Sequence, residues 1–517
     1  MSRILCCIFN YNDNAHACEW ANRLSPCFDT LILDSGSHPR CEHPCAVALD
    51  NLYYSGLMNE ACRRAVEGKY PWVMVVTSDI QIQERDVPAL VAAMEQISYS
   101  ENVGLYQPST AWKGRSLPQS RCHFTGKMRS ANFQEGWFHL MRTDLLQEVC
   151  PIDRKLNLFG WGIDLALSHY ARLRRLLVLV DDRIRVVHPG GTGYNKAEAL
   201  RQMRAWHASL PGYTSPRHFR PLNEPVRYRD RRLLVHLHLY YQDQLPYFLD
   251  KLGHIEGVDW DLYVTSPGVL PEALKAEVRA CKPGTVFLQT ENVGYDIWPF
   301  VCVLRAVDLS RYQWVMKLHT KGEDHHGYTV NGLHLKAFAW RNYLVEALLG
   351  SPAQFRRCLG LFDADPYSGM VFERALLRRV GHVLPEEGEM LDQELARLGL
   401  SRDYKSFCAG TIFMARARAL HSLRDSDLTA QRFSGPTNPH GNGSLAHVYE
   451  RIICFLVQDS GYRIRTLTRH PASAAYVRIT KSVEPFLRRI FTLQYEYPSG
   501  DKVLTFLGHK FVLKKGR

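Results

Sequence analysis

The sequence lacks any long apolar run. No stretch reaches the roughly 18 uncharged apolar residues that a membrane-spanning helix needs, although 46% of the 517 residues are hydrophobic. The amino terminus does not resemble a secretory signal, because polar Asn10 and Asn12 soon interrupt the apolar run that follows Arg3. We therefore expect a cytoplasmic protein, with a peripheral location on the inner face of the plasma membrane as the alternative.

The sequence also lacks the cysteine spacing of a disulfide framework or a complete zinc site. Its 14 cysteines are scattered, and many lie in apolar segments, which is typical of reduced, buried thiols. Cys41, His43 and Cys45 would need two further ligands to hold zinc. No recognised nucleic-acid module accompanies the net charge of +12. The charge therefore favours a phosphorylated substrate or anionic lipid headgroups over nucleic acid.

What the sequence does contain is an α/β pattern that begins twice. A chain of 517 residues is too long for one core. Short apolar strands alternate with helices from Ile4 onwards and again from Leu233 onwards, which predicts two tandem domains, each a mostly parallel sheet flanked by helices. Prolines and arginines between the two patterns indicate a linker. The predicted divisions are a first domain over 1–210, a linker over 211–230, a second domain over 231–475 and a basic, apolar tail over 476–517.

Polar residues follow the strands of the first domain, where ligands of parallel sheets bind. Asp34 ends the strand Thr30–Leu33, and Asp79 follows the buried strand Trp72–Val76, where a carboxylate suits a divalent cation that bridges a sugar diphosphate. Asn59 lies in a Gly-containing turn and helix that could approach a diphosphate or base. Further phrases of the same kind contain Glu135, Trp137, Trp161, Asp164 and His188.

In this order the motifs resemble the large inverting family-two glycosyltransferases, which use the GT-A fold, over about residues 3–200. The resemblance implies that Asp34 and Asp79 bind the donor, that Asp79 and His188 hold Mg²⁺ or Mn²⁺, and that Asp164 deprotonates the acceptor. By residue type, Asn59 is a further candidate for the donor, and Glu135, Trp137 and Trp161 are candidates for the acceptor. The D-x-D motif of that family is incomplete, because Thr77 replaces its first carboxylate. Simpler roles are the alternatives: turn or helix caps for the aspartates, a loop histidine, and core packing for the tryptophans.

The second domain has different motifs. Lys317, His319 and Lys321 alternate at the end of a strand, so the period of two places them on one face. Two ammonium groups and an imidazole form an anion site that suits a diphosphate without metal. Asn292, Gly294 and Asp296 are further donor-site candidates, and Asp296 is a candidate base or, alternatively, a helix cap.

The second half resembles the rhamnan synthesis protein F family over about residues 232–470, most specifically in the Asn292–Asp296 and Lys317–Lys321 phrases. The resemblance implies a transfer that uses dTDP-rhamnose. We interpret Glu450 and Arg451 as an internal ion pair. One literal D-x-D, Asp363-Ala364-Asp365, precedes its strand and is not expected to bind metal.

The two resemblances together predict a bifunctional hexosyltransferase of bacterial surface polysaccharide (O-antigen, capsule or rhamnan type), the first domain inverting. Its partners would be nucleotide-sugar donors and a growing, lipid-linked glycan acceptor. The lysines and apolar residues from Lys502 to Arg517 suit a membrane surface or, equally, a solvated hairpin. The alternative is one active domain beside a degenerate glycan-binding or scaffold domain.

Overall fold

The computed structural model describes residues 3–111, 116–189, 194–331, 333–380, 385–401, 403, 406–434, 444–496, 501–506 and 509–514. The chain divides into two compact units, residues 1–231 with 362–367 and residues 232–361 with 368–517. Each unit contains its own large sheet and its own helices. The predicted class, two tandem α/β domains with mostly parallel sheets, is confirmed.

The first unit alternates strands and helices throughout. Its strands are β1 (Ile4–Asn10), β2 (Asp29–Ser35), β3 (Ala46–Leu49), β4 (Trp72–Thr77), β5 (Gln81–Ile82), β6 (Val103–Thr110), β7 (Met128–Ser130), β8 (Phe138–Arg142) and β9 (Leu177–Val187). Its helices are α1 (Asn14–Leu24), α2 (Tyr53–Glu67), α3 (Val87–Ser98), α4 (Thr143–Leu146), α5 (Ile163–Leu173) and α6 (Lys196–Ser209).

The strand β1 shows why this sheet is central. All of its residues are buried, and alternate side chains enter two separate hydrophobic clusters, Ile4, Cys6 and Ile8 in one and Leu5, Cys7 and Phe9 in the other. A strand whose two faces are both apolar is covered by helices on both sides. The cysteines here fill the core as thiols.

The first sheet has the order β3-β2-β1-β4-β8-β6-β9-β5, with β7 paired to β9. Its central pairs are parallel except those of β8, which runs antiparallel to β4 and β6. The apolar pattern predicts two strands, Leu176–Val180 and Ile184–Val187, with Asp181 and Asp182 at the end of the first, but β9 is continuous there. Asp181 accepts hydrogen bonds from Arg183 and Tyr106, which allows the buried carboxylate to stay in the strand.

The second part of the chain repeats the alternation. Its strands are β10 (Arg232–His238), β11 (Asp259–Ser266), β12 (Val286–Gln289), β13 (Trp314–His319), β14 (Asp324–Val330), β15 (Leu333–Ala337), β16 (Ser368–Glu373), β17 (Leu377–Arg379), β18 (Ser406–Cys408), β19 (Phe413–Arg416), β20 (Arg463–Leu467), β21 (Phe491–Glu496), β22 (Asp501–Phe506) and β23 (His509–Lys514). Its helices are α7 (Leu245–Leu252), α8 (Glu272–Cys281), α9 (Ile297–Ala306), α10 (Ala339–Leu349), α11 (Pro352–Ala364), α12 (Pro385–Arg397), α13 (His421–Arg424), α14 (Ala430–Phe433), α15 (Leu445–Asp459) and α16 (Pro471–Ile490).

The main sheet of the second unit, β12-β11-β10-β13-β19-β16-β20, repeats the strand order of the first. Numbered along the chain, the shared strands of both sheets follow the order 3-2-1-4-6-5-7, and the sixth is antiparallel in both. The registers also agree: Trp72 pairs with Arg142 in the first sheet, and Trp314 pairs with Arg416 in the second. The two sheets can therefore be compared residue by residue.

The predicted linker over 211–230 packs along the first unit. Asn102 Nδ2 donates to the carbonyl of Pro225, and the amide of Arg229 donates to the carbonyl of Tyr99. The predicted tail begins inside α16 and continues into the antiparallel sheet of β21, β22 and β23. Among the described residues, no helix is both long enough and apolar enough to span a bilayer.

Candidate functional site

The turn after β4 presents Asp79 at the carboxyl end of the first sheet. Two main-chain hydrogen bonds fix this turn: the amide of Thr77 donates to the carbonyl of Trp137 at 3.1 Å, and the amide of Ser78 donates to that of Phe9 at 3.0 Å. Asp79 itself is half-buried and faces His188, which follows β9. The structure thus brings the two predicted metal ligands together.

His188 is suited to bind a cation. Burial lowers the pKa of His188 although Asp79 acts in the opposite direction, so its ring is neutral near pH 7 and offers a lone pair. Its Nδ1 is buried and has no hydrogen-bond partner among the described residues. Within the same ranges, no group of three or more His, Cys, Asp or Glu side chains is placed to hold a metal ion. A cation here would therefore depend on Asp79, His188 and oxygens of the ligand itself.

Asp164 lies in the first turn of α5, half-buried, beside Glu135. Burial raises the pKa of Asp164 to about 6, and the nearby charge of Glu135 acts in the same direction. Burial also raises the pKa of Glu135. A carboxylate with a pKa close to neutrality can take up and release a proton during a reaction. Asp164 thus has the chemistry of a general base.

Two glycines position Asp164. Gly160 and Gly162 both adopt left-handed backbone conformations, with φ of +78° and +82°. A β-carbon at Gly160 would lie 2.4 Å from the ring of Tyr54, and one at Gly162 would lie 2.5 Å from that of His207. Only glycine fits both the backbone and the space, so these two positions set the entry of α5.

The two predicted acceptor tryptophans differ in their environments. Trp137 is 4% exposed and packs its ring against that of His188, with centroids 5.7 Å apart. Trp161 is half-buried, and its Nε1 donates to the Tyr194 hydroxyl at 3.0 Å. Phe159 stacks on Tyr194 at 4.5 Å beside it. The partly accessible aromatic surface next to Asp164 is therefore that of Trp161 and Phe159, whereas Trp137 packs in the hydrophobic core.

Asp34 and Asn59 make internal contacts. Asp34 is fully buried; its Oδ1 accepts from Asn10 and Ser37, and its Oδ2 accepts from the amide of Cys41 at 3.1 Å. The Asn59 amide group bonds both the carbonyl and the amide of Ile152. These contacts hold loops in place, and direct donor contact by either residue stays a prediction.

A cavity of about 930 Å³ opens at the carboxyl ends of the parallel strands of the second unit. Predicted donor residues meet there: Asn292 is exposed in the wall, and Gly294 adopts a φ of +65° where a β-carbon would lie 2.8 Å from Phe433. The exposed rings of Tyr240, Tyr241 and Tyr295 also line the cavity. Its size and mixed lining suit a ligand with an aromatic and a polar part.

Lys317 and Asp296 form a buried ion pair beneath this cavity. Lys317 is fully buried, and its Nζ donates to the Asp296 carboxylate and to both the carbonyl and the hydroxyl of Thr411. Burial alone would raise the pKa of Asp296, but the neighbouring side chains of His319, Lys317 and Lys321 hold this pKa well below its usual range. Asp296 is thus a poor proton acceptor, and Lys317 has no donor left for a phosphate. This geometry argues against catalysis by Asp296 and against direct phosphate binding by Lys317.

His319 is also buried, and burial lowers its pKa to about 3. Its ring is therefore neutral near pH 7 and lies 2.7 Å, Nε2 to oxygen, from the carbonyl of Gly410. The lasting positive charge beside Asp296 is that of Lys317. Of the three residues predicted to form a cation cluster, Lys321 is therefore the one whose charge is available at the cavity surface. Its Nζ lies 4.7 Å from the centroid of the Trp340 ring.

Lys321 occupies the position that Asp79 has in the first unit. Each lies seven residues after the matched tryptophan that begins its strand (79 − 72 and 321 − 314). The main-chain hydrogen bond also recurs, since the amide of Thr320 donates to the carbonyl of His238 at 3.1 Å. The same turn therefore carries a carboxylate in one unit and an ammonium group in the other.

Two cavity residues were not predicted as ligands. Arg378, on β17, lines the cavity, and among the described residues no carboxylate forms a salt bridge with it. The sequence does not identify Arg378 as a site residue. It lies on β17, which pairs with β18 outside the main sheet, so the rule that ligands bind at the strand ends of that sheet does not point to it. Glu450 also lines the cavity, and its predicted ion pair with Arg451 is wrong: Arg451 pairs with Glu387 instead.

The Asp363-Ala364-Asp365 motif belongs to the first unit and makes structural contacts there. Asp363 accepts a hydrogen bond from Arg231 at 2.7 Å and lies near the end of α11 rather than at the end of a strand.

Fold and site together define a tandem α/β protein in which charged and aromatic side chains gather at the carboxyl edge of each sheet. The chain belongs to the rhamnan synthesis protein F family, whose model matches residues 189–462. The matched region contains the cavity, the Lys317–Asp296 pair and Lys321. The resemblance predicted for the second half is thereby confirmed, whereas that of the first half to family-two glycosyltransferases stays a prediction.

Two curated relatives, both named uncharacterized protein WxcX and both from strains of Xanthomonas campestris pv. campestris, are 32% identical to the chain over 194 residues. The match covers 36% of this chain and 26% of each relative, so it spans about a quarter of their length. Among solved structures, S. aureus TarS 1-349 is similar at 14% identity and a TM-score of 0.28, over 40% of this chain and 70% of that one. GalNAc-T7 with UDP, GalNAc and Mn²⁺ is similar at 11% identity and a TM-score of 0.28, over 36% and 42%.

Proposed function

We propose that this protein is a glycosyltransferase of bacterial surface-polysaccharide synthesis, with one transfer site in each unit. The observation that carries the proposal is the cavity at the carboxyl edge of the second sheet, with Lys321 and Arg378 in its wall, inside the region that matches the family. Anions bind at such edges, and a nucleotide sugar combines an aromatic base with a diphosphate. Membership of the family supports polysaccharide synthesis in general.

At the first site, Asp164 is the proposed base of an inverting transfer. It would accept the proton of the acceptor hydroxyl while that oxygen bonds the anomeric carbon and the diphosphate leaves. Glu135 and the aromatic ring of Trp161 would contact the acceptor. Asp79 and His188 fit an Mg²⁺ or Mn²⁺ ion, which when bound would neutralise the departing diphosphate.

At the second site, the diphosphate would be held by protein cations without metal. Lys321 and Arg378 supply the charge, while the Lys317–Asp296 pair keeps the floor of the cavity rigid. Rhamnose from dTDP-rhamnose is the donor that the family's description favours. The acceptor at both sites would be a growing, lipid-linked glycan.

A donor screen tests the proposal. We would measure the melting temperature of the full chain with UDP-, GDP- and dTDP-sugars, with and without Mn²⁺, because a ligand that binds only the folded state raises it. Transfer would then be followed as release of nucleoside diphosphate. A chain that neither binds nor cleaves any donor would contradict the proposal. Donor cleavage lost only in Asp164→Asn, or only in Lys321→Met, would favour one active unit and a second that binds glycan or acts as a scaffold.

The proposal includes contact with an anionic membrane surface through the carboxyl-terminal segment. On α16, Tyr476, Ile479 and Val483 are exposed at helical spacing, and Phe511 and Leu513 are exposed on β23. Exposed apolar side chains among basic ones suit such a surface. Leu507, Lys515 and Arg517, also part of the predicted contact, lie outside the described residues. Sedimentation with vesicles that contain anionic lipid should carry the chain down, and Ile479→Ser with Val483→Ser should weaken this binding.

A further inference from the structure

In each main sheet, a helix precedes the last of the shared strands, and the pairing of that strand follows the same pattern in both sheets. In the first sheet β6 pairs with β9 from Val103↔Leu177, and in the second β16 pairs with β20 from Ser368↔Arg463. Both pairings shift by one residue at the same point, between Val103 and Leu105 and between Ser368 and Met370. Leu177 and Arg463 are therefore equivalent positions.

The connection between helix and strand also agrees. Arg175 and Gly461, each two residues before the matched strand position, both have a left-handed backbone, with φ of +54° and +80°. In each unit the next amide donates to the carbonyl five residues back, Leu176 to Ala171 and Tyr462 to Val457. No insertion separates the two segments, so the comparison extends back along α5 and α15.

On this comparison Glu450 is the counterpart of Asp164. Asp164 lies thirteen positions before Leu177, and Glu450 lies thirteen positions before Arg463 (177 − 164 and 463 − 450). The sequence alone hides this equivalence, because the Gly-Trp-Gly phrase before Asp164 has no equivalent before Glu450, where residues 435–443 lie outside the described ranges. The register of the sheets reveals it.

The surroundings of Glu450 match those of Asp164. Glu450 is half-buried in the cavity wall, and its Oε1 accepts a hydrogen bond from the amide of Gly410 at 2.5 Å. Gly410 lies six residues before Arg416, as Gly136 lies six before the equivalent Arg142 (416 − 410 and 142 − 136). Glu135, the neighbour of Gly136, acts on Asp164, so each carboxylate lies beside the equivalent turn.

Glu450 is also available for reaction. Within the described part of the chain, no basic side chain forms a salt bridge with it, and its Oε2 accepts no hydrogen bond. Of the two other carboxylates that line the cavity, Asp296 is neutralised by Lys317 and Glu387 pairs with Arg451.

We infer that Glu450 is the catalytic base of the second site; the inference rests on the proposed function. Its carboxylate would take the proton of an acceptor hydroxyl while that oxygen forms a bond to the anomeric carbon. The bond from this carbon to the phosphate oxygen breaks, and the nucleoside diphosphate leaves with the electron pair beside Lys321 and Arg378. Such a direct displacement inverts the anomeric centre.

The test uses the full chain with Asp164→Asn throughout, so that only the second site turns over. Glu450→Gln should lower diphosphate release in the presence of acceptor by about 100-fold or more, while the donor still raises the melting temperature as in the parent. Glu450→Asp should recover part of the rate, and the acidic limb of the pH profile should shift with it. Glu389→Gln, an exposed carboxylate on α12, is the matched control and should behave as the parent.

The outcomes separate the inference from the proposed function. If the Asp164→Asn parent releases diphosphate and Glu450→Gln releases it at a rate within about threefold of the parent, the role of Glu450 is overturned and the proposed function stands. Loss of donor-induced stabilisation together with transfer, without recovery in Glu450→Asp, assigns Glu450 a structural role and also overturns the inference. A parent that acts on no donor overturns the proposed function of the second site itself.

Discussion

At the scale of single residues, the two sites differ in how they treat buried carboxylates. Among the residues that the structure describes, Asp164 has no cationic partner at hydrogen-bond distance, and its pKa is raised by burial. Asp296 is bonded to a buried lysine, and its pKa is lowered. A carboxylate with a raised pKa, such as Asp164, can exchange protons near pH 7. One with a lowered pKa, such as Asp296, keeps its charge and holds its neighbours in place.

The raised pKa of Asp164 predicts that the protein gains stability when this charge is removed. The folded pKa of about 6 exceeds the unfolded value of 3.8, so stability is greatest below the unfolded value and falls as the pH rises through about 6. Asp164→Asn should therefore match the wild type at pH 4 and exceed it by about 1–3 kcal/mol at pH 8. Urea unfolding at both pH values measures this, and a constant difference would contradict it.

The same residue predicts a pH dependence of the first transfer. A base must be deprotonated to act, so the rate should rise with pH through about 6 and reach a plateau above it. The Asp164→Asn chain should lose this rise along with the transfer. Diphosphate release measured between pH 5 and pH 8 checks the profile.

The ion pair of Lys317 and Asp296 predicts strong coupling. Removing one partner leaves a buried charge alone, so Lys317→Met or Asp296→Asn should each lower the free energy of unfolding by about 3–5 kcal/mol. The double variant should lose less than the sum of the two, because no lone charge remains. Additive losses in urea unfolding would show that the two side chains do not interact.

At the scale of elements, the entry to α5 depends on glycine. Gly160→Ala places a β-carbon in a left-handed backbone and against Tyr54, which should cost about 2–4 kcal/mol and displace Asp164. Gly212→Ala is the matched control, since its φ is +65° but its β-carbon would meet open space, and it should cost only about 1 kcal/mol. Thermal unfolding and first-site transfer measure both variants. Equal losses would refute the steric part of the explanation.

The elements also show what a sequence can reveal. Strands such as β1 and β4 are predictable, because short apolar runs end in polar turns. The single strand β9 was not predicted, since Asp181 and Asp182 interrupt its apolar pattern. The structure shows that these two carboxylates form ion pairs with Arg183 and Arg129. Alternation predicted Lys317, His319 and Lys321 on one face, but not that two of them are buried.

Residues from distant parts of the chain were the hardest to foresee. Arg378 reaches the cavity from a segment that carries no motif, and Glu450 was interpreted as part of an ion pair. The proximity of both to the other cavity residues depends on contacts between distant parts of the chain. Asp79 and His188, by contrast, follow strands of one sheet, and general rules place both at the same edge.

At the scale of the whole molecule, the two units predict different responses to metal. Asp79→Asn should remove any Mn²⁺-dependent donor stabilisation from the first site and leave metal-independent binding intact. Lys321→Met should instead weaken metal-independent donor binding about 10- to 100-fold. Exposed Asp50→Asn and Lys336→Met are the matched controls. Donor titrations with EDTA or Mn²⁺ would decide, and a metal requirement that follows Lys321 would contradict the assignment.

The turn that carries Asp79 in one unit and Lys321 in the other is held in both units by a main-chain hydrogen bond from the residue before it, and in the second unit also by the side chains of Thr320 and Gln244. These hydrogen bonds do not use the side chain of Asp79 or of Lys321. The same backbone can therefore present either a carboxylate or an ammonium group by point substitution, with no change of scaffold. On the proposed function, this turn is a place where new transfer chemistry can arise at little structural risk.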